Sequence, residues 1–241
     1  MSAPAPSDSV VEPVANNAIS QSGATPSTLT PDASRREPTP SAAGAAQLTS
    51  QSLIKNTKDM EQTKQLVISA LQYHQDWPTP GINFIDILPI FRSPVLFASL
   101  LDVLLHQIEE TFPSNKPEVI VGLEARGFLF GPALALRLGV PFVPVRKSGK
   151  MPGTCFTEVY EKEYGKDEFQ IQADSIQKGQ RVLIVDDILA TGGTAAAARK
   201  LVEKCGGDFI GYLFIIEITV LRGHAQRKQL GDKPLLALVE D

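Results

Sequence analysis

Residues 182–194 read Val-Leu-Ile-Val-Asp-Asp-Ile-Leu-Ala-Thr-Gly-Gly-Thr. The apolar, β-branched start of this stretch predicts a buried strand, and the alanine-rich residues that follow it predict a helix. Two acids and a loop of small residues lie between them. At the carboxyl end of a parallel strand, the turn into a helix is where a ligand crevice is expected. The stretch therefore predicts an α/β fold with a binding site at this turn.

The loop at residues 190–194, called the phosphate loop below, has the composition of a phosphate cradle. Its two glycines allow close approach and unusual dihedral angles, so successive backbone N–H groups can face a ligand. Its two threonines add hydroxyl donors, and the N-terminus of the following helix favours a dianion. The predicted phosphate site consists of Ala190, Thr191, Gly192, Gly193 and Thr194.

Asp186 and Asp187 immediately precede these residues at the end of the predicted strand. Their charges would repel a phosphate, but carboxylates accept hydrogen bonds well, and we expect them to bind two ribose hydroxyls. The alternative is that the two acids only cap a helix and that the glycines only form a turn. The order of strand, acid pair, small-residue loop and helix favours the sugar-phosphate site.

This order of features resembles the binding signature of the type I phosphoribosyltransferases. It does not resemble a Walker loop, because no Gly-Lys-Ser/Thr sequence follows the glycines. The resemblance implies an α/β fold in which a mainly parallel sheet is flanked by helices on both faces and a flexible lid loop closes over the site. It also implies binding of 5-phosphoribosyl-1-pyrophosphate, called the donor below.

The apolar periodicity of the chain agrees with that fold class. A first helix is predicted from Asp59 to a point before Trp77, and the polar stretch from Pro152 to Asp167 is predicted to be the lid because it lacks a core-forming pattern. The other predicted elements are helices at 94–108, 128–138 and 194–205, strands at 119–122, 140–145, 181–185 and 209–216, and an edge strand at 169–171.

Composition predicts one folded domain at residues 57–241 behind a disordered tail at residues 1–56, which is rich in Ala, Ser, Pro and Thr. The formal charge of −4 gives no support to a general nucleic-acid or membrane surface. Cys155 and Cys205 lack the spacing of a zinc site or of a disulfide framework. With no signal-peptide pattern and an acidic tail unlike a transit peptide, we expect a cytoplasmic protein, with the nucleus as the alternative.

Two further segments carry cations next to predicted strands. Glu124-Ala125-Arg126-Gly127 opens a helix directly after a strand, and the resemblance identifies it as the pyrophosphate loop, with a cis peptide bond between Glu124 and Ala125. The second segment follows the next strand, and the alternative is a solvated basic turn. We expect its lysines to contact pyrophosphate and its arginine to act across a dimer interface; these residues are Lys147, Lys150 and Arg146.

The sequence Tyr-Glu-Lys-Glu-Tyr-Gly at residues 160–165 is similar to the lid of the adenine phosphoribosyltransferases, especially the eukaryotic and fungal enzymes. This resemblance implies that Glu163 accepts or stabilises the proton of the base and that Tyr164 and Arg126 assist catalysis. Enzymes that use 6-oxopurines typically carry an aspartate where this chain has Ala190, so the proton acceptor must lie elsewhere.

The resemblance further implies a base site around residues 82–84. Backbone groups near Ile82 and Asn83 would read the edge of adenine, with Phe84 and Arg126 near the ring. An amino group and a keto group exchange donor for acceptor, so backbone groups can distinguish them. Phe84 taken alone is more often a core residue than a base platform.

The implied reaction converts adenine and the donor to AMP and pyrophosphate in purine salvage. Mg²⁺ would bridge oxygens of the donor rather than rest on a protein cage, so no direct metal ligand is predicted. The implied assembly is a homodimer without nucleic-acid or membrane partners. The alternatives are another purine phosphoribosyltransferase and a non-catalytic sensor of the donor.

Overall fold

A seven-stranded sheet is the centre of the protein, whose computed structural model describes residues 57–162 and 165–241. Along the sheet the strands follow the order β5-β6-β4-β3-β7-β8-β9. Their bounds are β3 Val119–Leu123, β4 Phe142–Lys147, β5 Cys155–Lys162, β6 Gly165–Gln172, β7 Arg181–Leu189, β8 Asp208–Glu217 and β9 Leu235–Glu240. A separate antiparallel pair consists of β1 Gln72–His74 and β2 Phe84–Asp86.

All pairings among β4, β3, β7, β8 and β9 are parallel, whereas β6 pairs antiparallel with both of its neighbours, β4 and β5. The parallel strands are apolar on both faces because helices cover both faces. Alternate residues of β7 enter opposite core clusters, with Leu183 in one and Ile184 in the other. The predicted fold class is confirmed: the sheet is mainly parallel and is covered by helices on both sides.

The helices are α1 Thr57–Ser69, α2 Leu88–Phe91, α3 Pro94–Thr111, α4 Gly127–Leu138 and α5 Gly193–Lys204, with 3-10 helices at Thr219–Leu221 and Ala225–Leu230. Helices α3 and α4 pack on one face of the sheet and α5 packs on the other. Gly139 ends α4 in the left-handed conformation at φ 70°, which confirms the predicted stop. In the part of the chain that the structure describes, no helix has the length and apolarity needed to cross a membrane.

One prediction about the segment after β4 was wrong: the edge strand of the sheet is β5, and residues 169–171 lie in β6. The stretch predicted to be the lid contains β5 and the start of β6, an antiparallel pair called the hairpin below. The segment reads as patternless because Glu158, on an inward position of β5, pairs with Lys200 and Lys204 of α5. The flexibility of this segment stays a prediction.

Other differences concern strand ends and short elements. The strand predicted at 181–185 continues to Leu189, so the acid pair lies within β7 and not beyond it. Strands β1, β2 and β9 were not predicted, and the first helix ends at Ser69, before β1. The predicted tail at residues 1–56 lies outside the described residues.

Candidate active site

The phosphate loop connects the end of β7 to the start of α5. Gly192 is the N-cap of α5 and has a left-handed backbone with φ 91°. A Cβ atom at this position would lie 3.3 Å from Arg227 Cδ and from Leu230 Cδ1, so both the dihedral angle and the space favour glycine. The four alanines at residues 195–198 are buried, which allows the start of α5 to pack closely against the sheet.

A first cavity of about 520 Å³ opens where the phosphate loop meets the carboxyl ends of β3, β4 and β7. Most of the sequence-predicted donor-site residues line it. Its wall consists of Glu124, Ala125, Arg126, Lys147, Tyr160, Phe169, Asp186, Asp187, Ile188, Ala190, Thr191, Gly192, Gly193 and Thr194. Arg146 and Lys150 do not belong to this wall.

The acid pair, Asp186 and Asp187, links β7 to residues 126 and 127. Asp187 is only 3% exposed, and its Oδ2 lies 2.8 Å from Arg126 Nε. The Oδ1 atom of Asp186 accepts a hydrogen bond of 3.1 Å from the backbone N–H of Gly127. Burial raises the pKa of both carboxyl groups, and the neighbouring Asp187 charge raises that of Asp186 further, whereas Arg126 opposes the rise. The acids therefore contact Arg126 and Gly127 and also line the first cavity.

Glu124 organises the cations that follow β4. Its Oε1 lies 2.8 Å from Lys150 Nζ, and its two oxygens accept hydrogen bonds of 3.3 Å from Arg146. The backbone N–H of Lys147 donates to Oε2 at 3.1 Å. Burial alone would raise the pKa of Glu124, but these hydrogen bonds outweigh it and lower the pKa to about 2. The peptide bond between Glu124 and Ala125 is cis, as the resemblance implied.

Replacing Glu124 by glutamine is expected to destabilise the protein by about 1–3 kcal/mol at pH 7, the range for hydrogen bonds to a charged group. The folded-state pKa of about 2 lies below the unfolded value of 4.5, so this stabilisation is complete above pH 4.5 and is lost as the pH falls toward 2. Urea unfolding of both proteins between pH 7 and 3.5 should show a difference that shrinks below pH 4.5. A difference that is independent of pH would contradict the role of the ionised carboxylate.

The hairpin contributes two aromatic residues to the first cavity. Tyr160 and Phe169 pack together at 4.7 Å between ring centroids, and both side chains are buried. Asp167 accepts a hydrogen bond of 3.3 Å from the Tyr160 hydroxyl and lies 3.8 Å from Lys147 Nζ. The flanking residues Lys162 and Gly165 pair with each other. The predicted catalytic residues Glu163 and Tyr164 lie outside the described residues.

A second cavity of about 290 Å³ shares Arg126 with the first. Its wall is mostly apolar and consists of His74, Trp77, Phe84, Asp86, Ile87, Leu88 and Arg126. Trp77 meets Phe84 edge to face at 4.5 Å, and the Arg126 guanidinium lies 5.9 Å from the centre of the Phe84 ring. An apolar, aromatic-lined space of this kind suits a planar heterocycle. Of the residues predicted for the base, Ile82 and Asn83 are exposed and do not line this cavity.

The sequence interpretation missed several lining residues. His74 and Trp77 come from β1 and the loop after it, and Tyr160 and Phe169 come from the hairpin. The only sequence signal for the hairpin pair was their aromatic character within an otherwise polar stretch. His74 is exposed and is also part of the second cavity's wall.

No group of three acid, histidine or cysteine side chains suited to a metal occurs within residues 57–162 and 165–241. The first cavity offers one adjacent carboxylate pair, of which Asp187 is already paired with Arg126. So few protein ligands fit a cation whose other ligands are oxygen atoms of a bound phosphate compound.

Comparison with known proteins finds similarity to phosphoribosyltransferases at the level of a family model, of individual relatives and of a solved structure. Residues 96–236 match the family model of the phosphoribosyl transferase domain. Adenine phosphoribosyltransferase 1 of Saccharomyces cerevisiae is 55% identical over 65% of this chain and 84% of its own length. The enzyme of Yarrowia lipolytica is 53% identical over 67% and 90%, respectively.

A crystal structure of the Saccharomyces cerevisiae enzyme in complex with adenine and an imino-altritol 1,6-bisphosphate superposes with a TM-score of 0.70. It is 50% identical, and the match covers 74% of this chain and 99% of that one.

Proposed function

Because the chain belongs to the phosphoribosyltransferase family, we infer that it transfers the phosphoribosyl group of the donor to adenine and releases AMP and pyrophosphate. It is therefore a glycosyltransferase of purine salvage. The observation that carries this inference is the position of Arg126, which lines both a polar cavity with a phosphate loop and an aromatic cavity. A sugar phosphate and a base can meet at that point.

We propose the following roles within the first cavity. The phosphate loop binds the 5′-phosphate through backbone N–H groups and threonine hydroxyls, and the acid pair accepts hydrogen bonds from the ribose hydroxyls. As the bond from C1′ to the pyrophosphate oxygen breaks, charge develops on the leaving group. Lys147 and Arg126, which line the cavity, stabilise that charge. Glu124 pairs with Lys150 and Arg146 and so keeps these two cations near the cavity.

The phosphate loop also supports the choice of base. Ala190 lines the first cavity and offers no carboxylate to the nitrogen of the incoming base. We propose that Glu163, on the segment between the hairpin strands, accepts or stabilises the proton that the base loses on forming its bond to C1′. Phe84 and Arg126 would contact the adenine ring in the second cavity.

We propose Mg²⁺ as the required ion, held mostly by pyrophosphate and ribose oxygens of the donor. When bound, the ion neutralises the negative charge of the leaving pyrophosphate. Support comes from the adjacent carboxylates of Asp186 and Asp187 in the wall of the first cavity. Titration of the purified protein with Mg²⁺ and the donor by calorimetry tests the dependence, and tight donor binding without Mg²⁺ would contradict it.

We also propose a cytoplasmic homodimer. Leu129, Pro132 and Leu136 form an exposed apolar stripe along α4, and Leu136 is 82% exposed. Arg146 is half-buried on β4, the strand that packs against α4 through Phe142. Light scattering measures the assembly, and a monomeric mass would contradict the dimer.

Residues 1–56 are proposed to be a disordered tail, and circular dichroism of that peptide tests this proposal. Fluorescence microscopy of the tagged chain tests the cytoplasmic location.

Purified protein is expected to release pyrophosphate from the donor only when a base is present, with adenine at least about 100-fold more efficient than guanine or hypoxanthine, as for sites that match hydrogen-bond donors and acceptors. The measurement is kcat/KM for each purine with Mg²⁺ present. A higher efficiency with a 6-oxopurine would indicate another purine phosphoribosyltransferase. Donor binding without any base-dependent release would indicate a sensor.

A further inference from the structure

Arg227 lies behind the phosphate loop, in the 3-10 helix Ala225–Leu230. Its side chain is only 7% exposed. The Nε atom donates a hydrogen bond of 2.8 Å to the carbonyl of Ala190, and Nη2 donates at 3.1 Å to the carbonyls of Leu189 and Ile218. One side chain thus contacts the end of β7, the first residue of the phosphate loop and the end of β8.

The bond to Ala190 has a geometric consequence for the next residue. In a trans peptide unit, the C=O and N–H groups point in opposite directions. Because Arg227 holds the Ala190 carbonyl, the N–H of Thr191 points away from Arg227. The phosphate loop lines the first cavity and Arg227 does not, so this N–H is directed toward the side where a phosphate would bind.

Packing and charge reinforce this arrangement. Gly192 lies so close to Arg227 that a Cβ atom there would be 3.3 Å from Arg227 Cδ. Glu217, which is 5% exposed, accepts a 2.9 Å hydrogen bond from Arg227 Nη1 and also pairs with Arg222. Hydrogen bonding from Arg222 is the main cause that lowers the pKa of Glu217; burial opposes it and Arg227 adds to it. Arginine suits the position because its planar fork serves four acceptors at once, which a lysine cannot do.

We propose that Arg227 is a positioning residue for the 5′-phosphate. It fixes the Ala190 carbonyl so that the N–H groups of the phosphate loop are oriented before the ligand arrives. This inference rests on the proposed function, because it assigns the same loop to the phosphate of the donor.

The test compares Arg227→Gln with Arg222→Gln. Both variants remove a guanidinium from Glu217, but the Arg222 side chain is half exposed. Among the described residues it pairs with Glu217 and Glu240, and neither belongs to the phosphate loop. Calorimetry measures the Kd of ribose 5-phosphate and, separately, the Kd of pyrophosphate. Arg227→Gln is expected to raise the Kd of ribose 5-phosphate by about tenfold or more, the cost of losing preorganised donors. The Kd of pyrophosphate, and both constants of Arg222→Gln, should stay within about twofold.

A purely structural role for Arg227 would weaken both ligands together or only lower the melting temperature, and either result would overturn the proposal. Arg227→Lys is the second variant. It retains a positive charge beside the buried carboxylate of Glu217, and this favours folding. It should bind ribose 5-phosphate nearly as weakly as Arg227→Gln, and wild-type affinity would show that the carbonyl contacts do not matter. If the wild-type protein itself fails to bind ribose 5-phosphate, the proposed function fails instead.

Discussion

Replacement of Arg126 by methionine is expected to lower kcat/KM for adenine by at least about 100-fold, because it removes a contact from both cavities. Asp187 is almost fully buried and would lose the partner that lies 2.8 Å from its Oδ2. The Arg126 side chain is itself 40% exposed, but the substitution leaves a buried carboxylate without its partner. Leaving a buried, hydrogen-bonded charge unpaired costs about 2–5 kcal/mol, which corresponds to roughly 30- to 4,000-fold. Methionine preserves most of the chain length, so the effect reports mainly on the guanidinium.

Arg137→Met provides the matched control. Arg137 lies at the other end of α4 and pairs with Asp102 in a partly exposed contact. Exposed pairs of this kind contribute about 0–1 kcal/mol, and kcat/KM should stay within about twofold. Equal losses in the two variants, or a loss below about fivefold in Arg126→Met, would show that Arg126 does not connect the two cavities. The steady-state kinetics should be measured with adenine and the donor varied separately.

Replacement of Glu163 by glutamine is expected to reduce kcat by about 10²–10⁴, the range for removal of a general acid or base. The KM of the donor should change little, because no contact to the donor is assigned to Glu163. The reason lies in Ala190, which leaves the phosphate loop without a proton acceptor for the base. The measurement is steady-state pyrophosphate release at saturating adenine and donor.

Glu168→Gln serves as its control, because Glu168 is exposed on the same hairpin and the substitution removes the same charge. Its kcat should match that of the wild type. A wild-type turnover number for Glu163→Gln would remove this residue from the mechanism. A rise in the KM of the donor with unchanged kcat would instead assign it to ligand binding.

The fold was predictable where a segment carries its own pattern. The strand, acid pair, loop and helix of residues 182–194 are contiguous, and their order alone specifies how β7 meets α5. The hairpin was not predictable in this way, since the inward position of Glu158 is polar and is stabilised by Lys200 and Lys204 from a helix 40 residues later. Strands β1 and β2 have only three residues each, which is too short for a periodic signal.

The residues of the candidate site differ in the same way: those in contiguous motifs were predictable from the sequence, and those that come from distant segments were not. Residues 124–126 and the phosphate loop line one cavity, and the sequence brings them together because each segment lies directly after a buried strand. His74 and Arg227 approach the site from distant parts of the chain, and their roles depend on how β1 and β8 are placed in the tertiary structure. A sequence carries no local mark of such contacts.

Arg126 lies between Asp187 and the ring of Phe84. A sugar that forms hydrogen bonds with Asp187 competes with Arg126 for this carboxylate. The competition changes how strongly the Arg126 guanidinium interacts with the ring of Phe84. Thermodynamic reciprocity then requires that occupation of either cavity change the affinity of the other by one common factor. We therefore expect the affinities for the two substrates to be coupled, and among the described residues the coupling passes through the one side chain that lines both cavities.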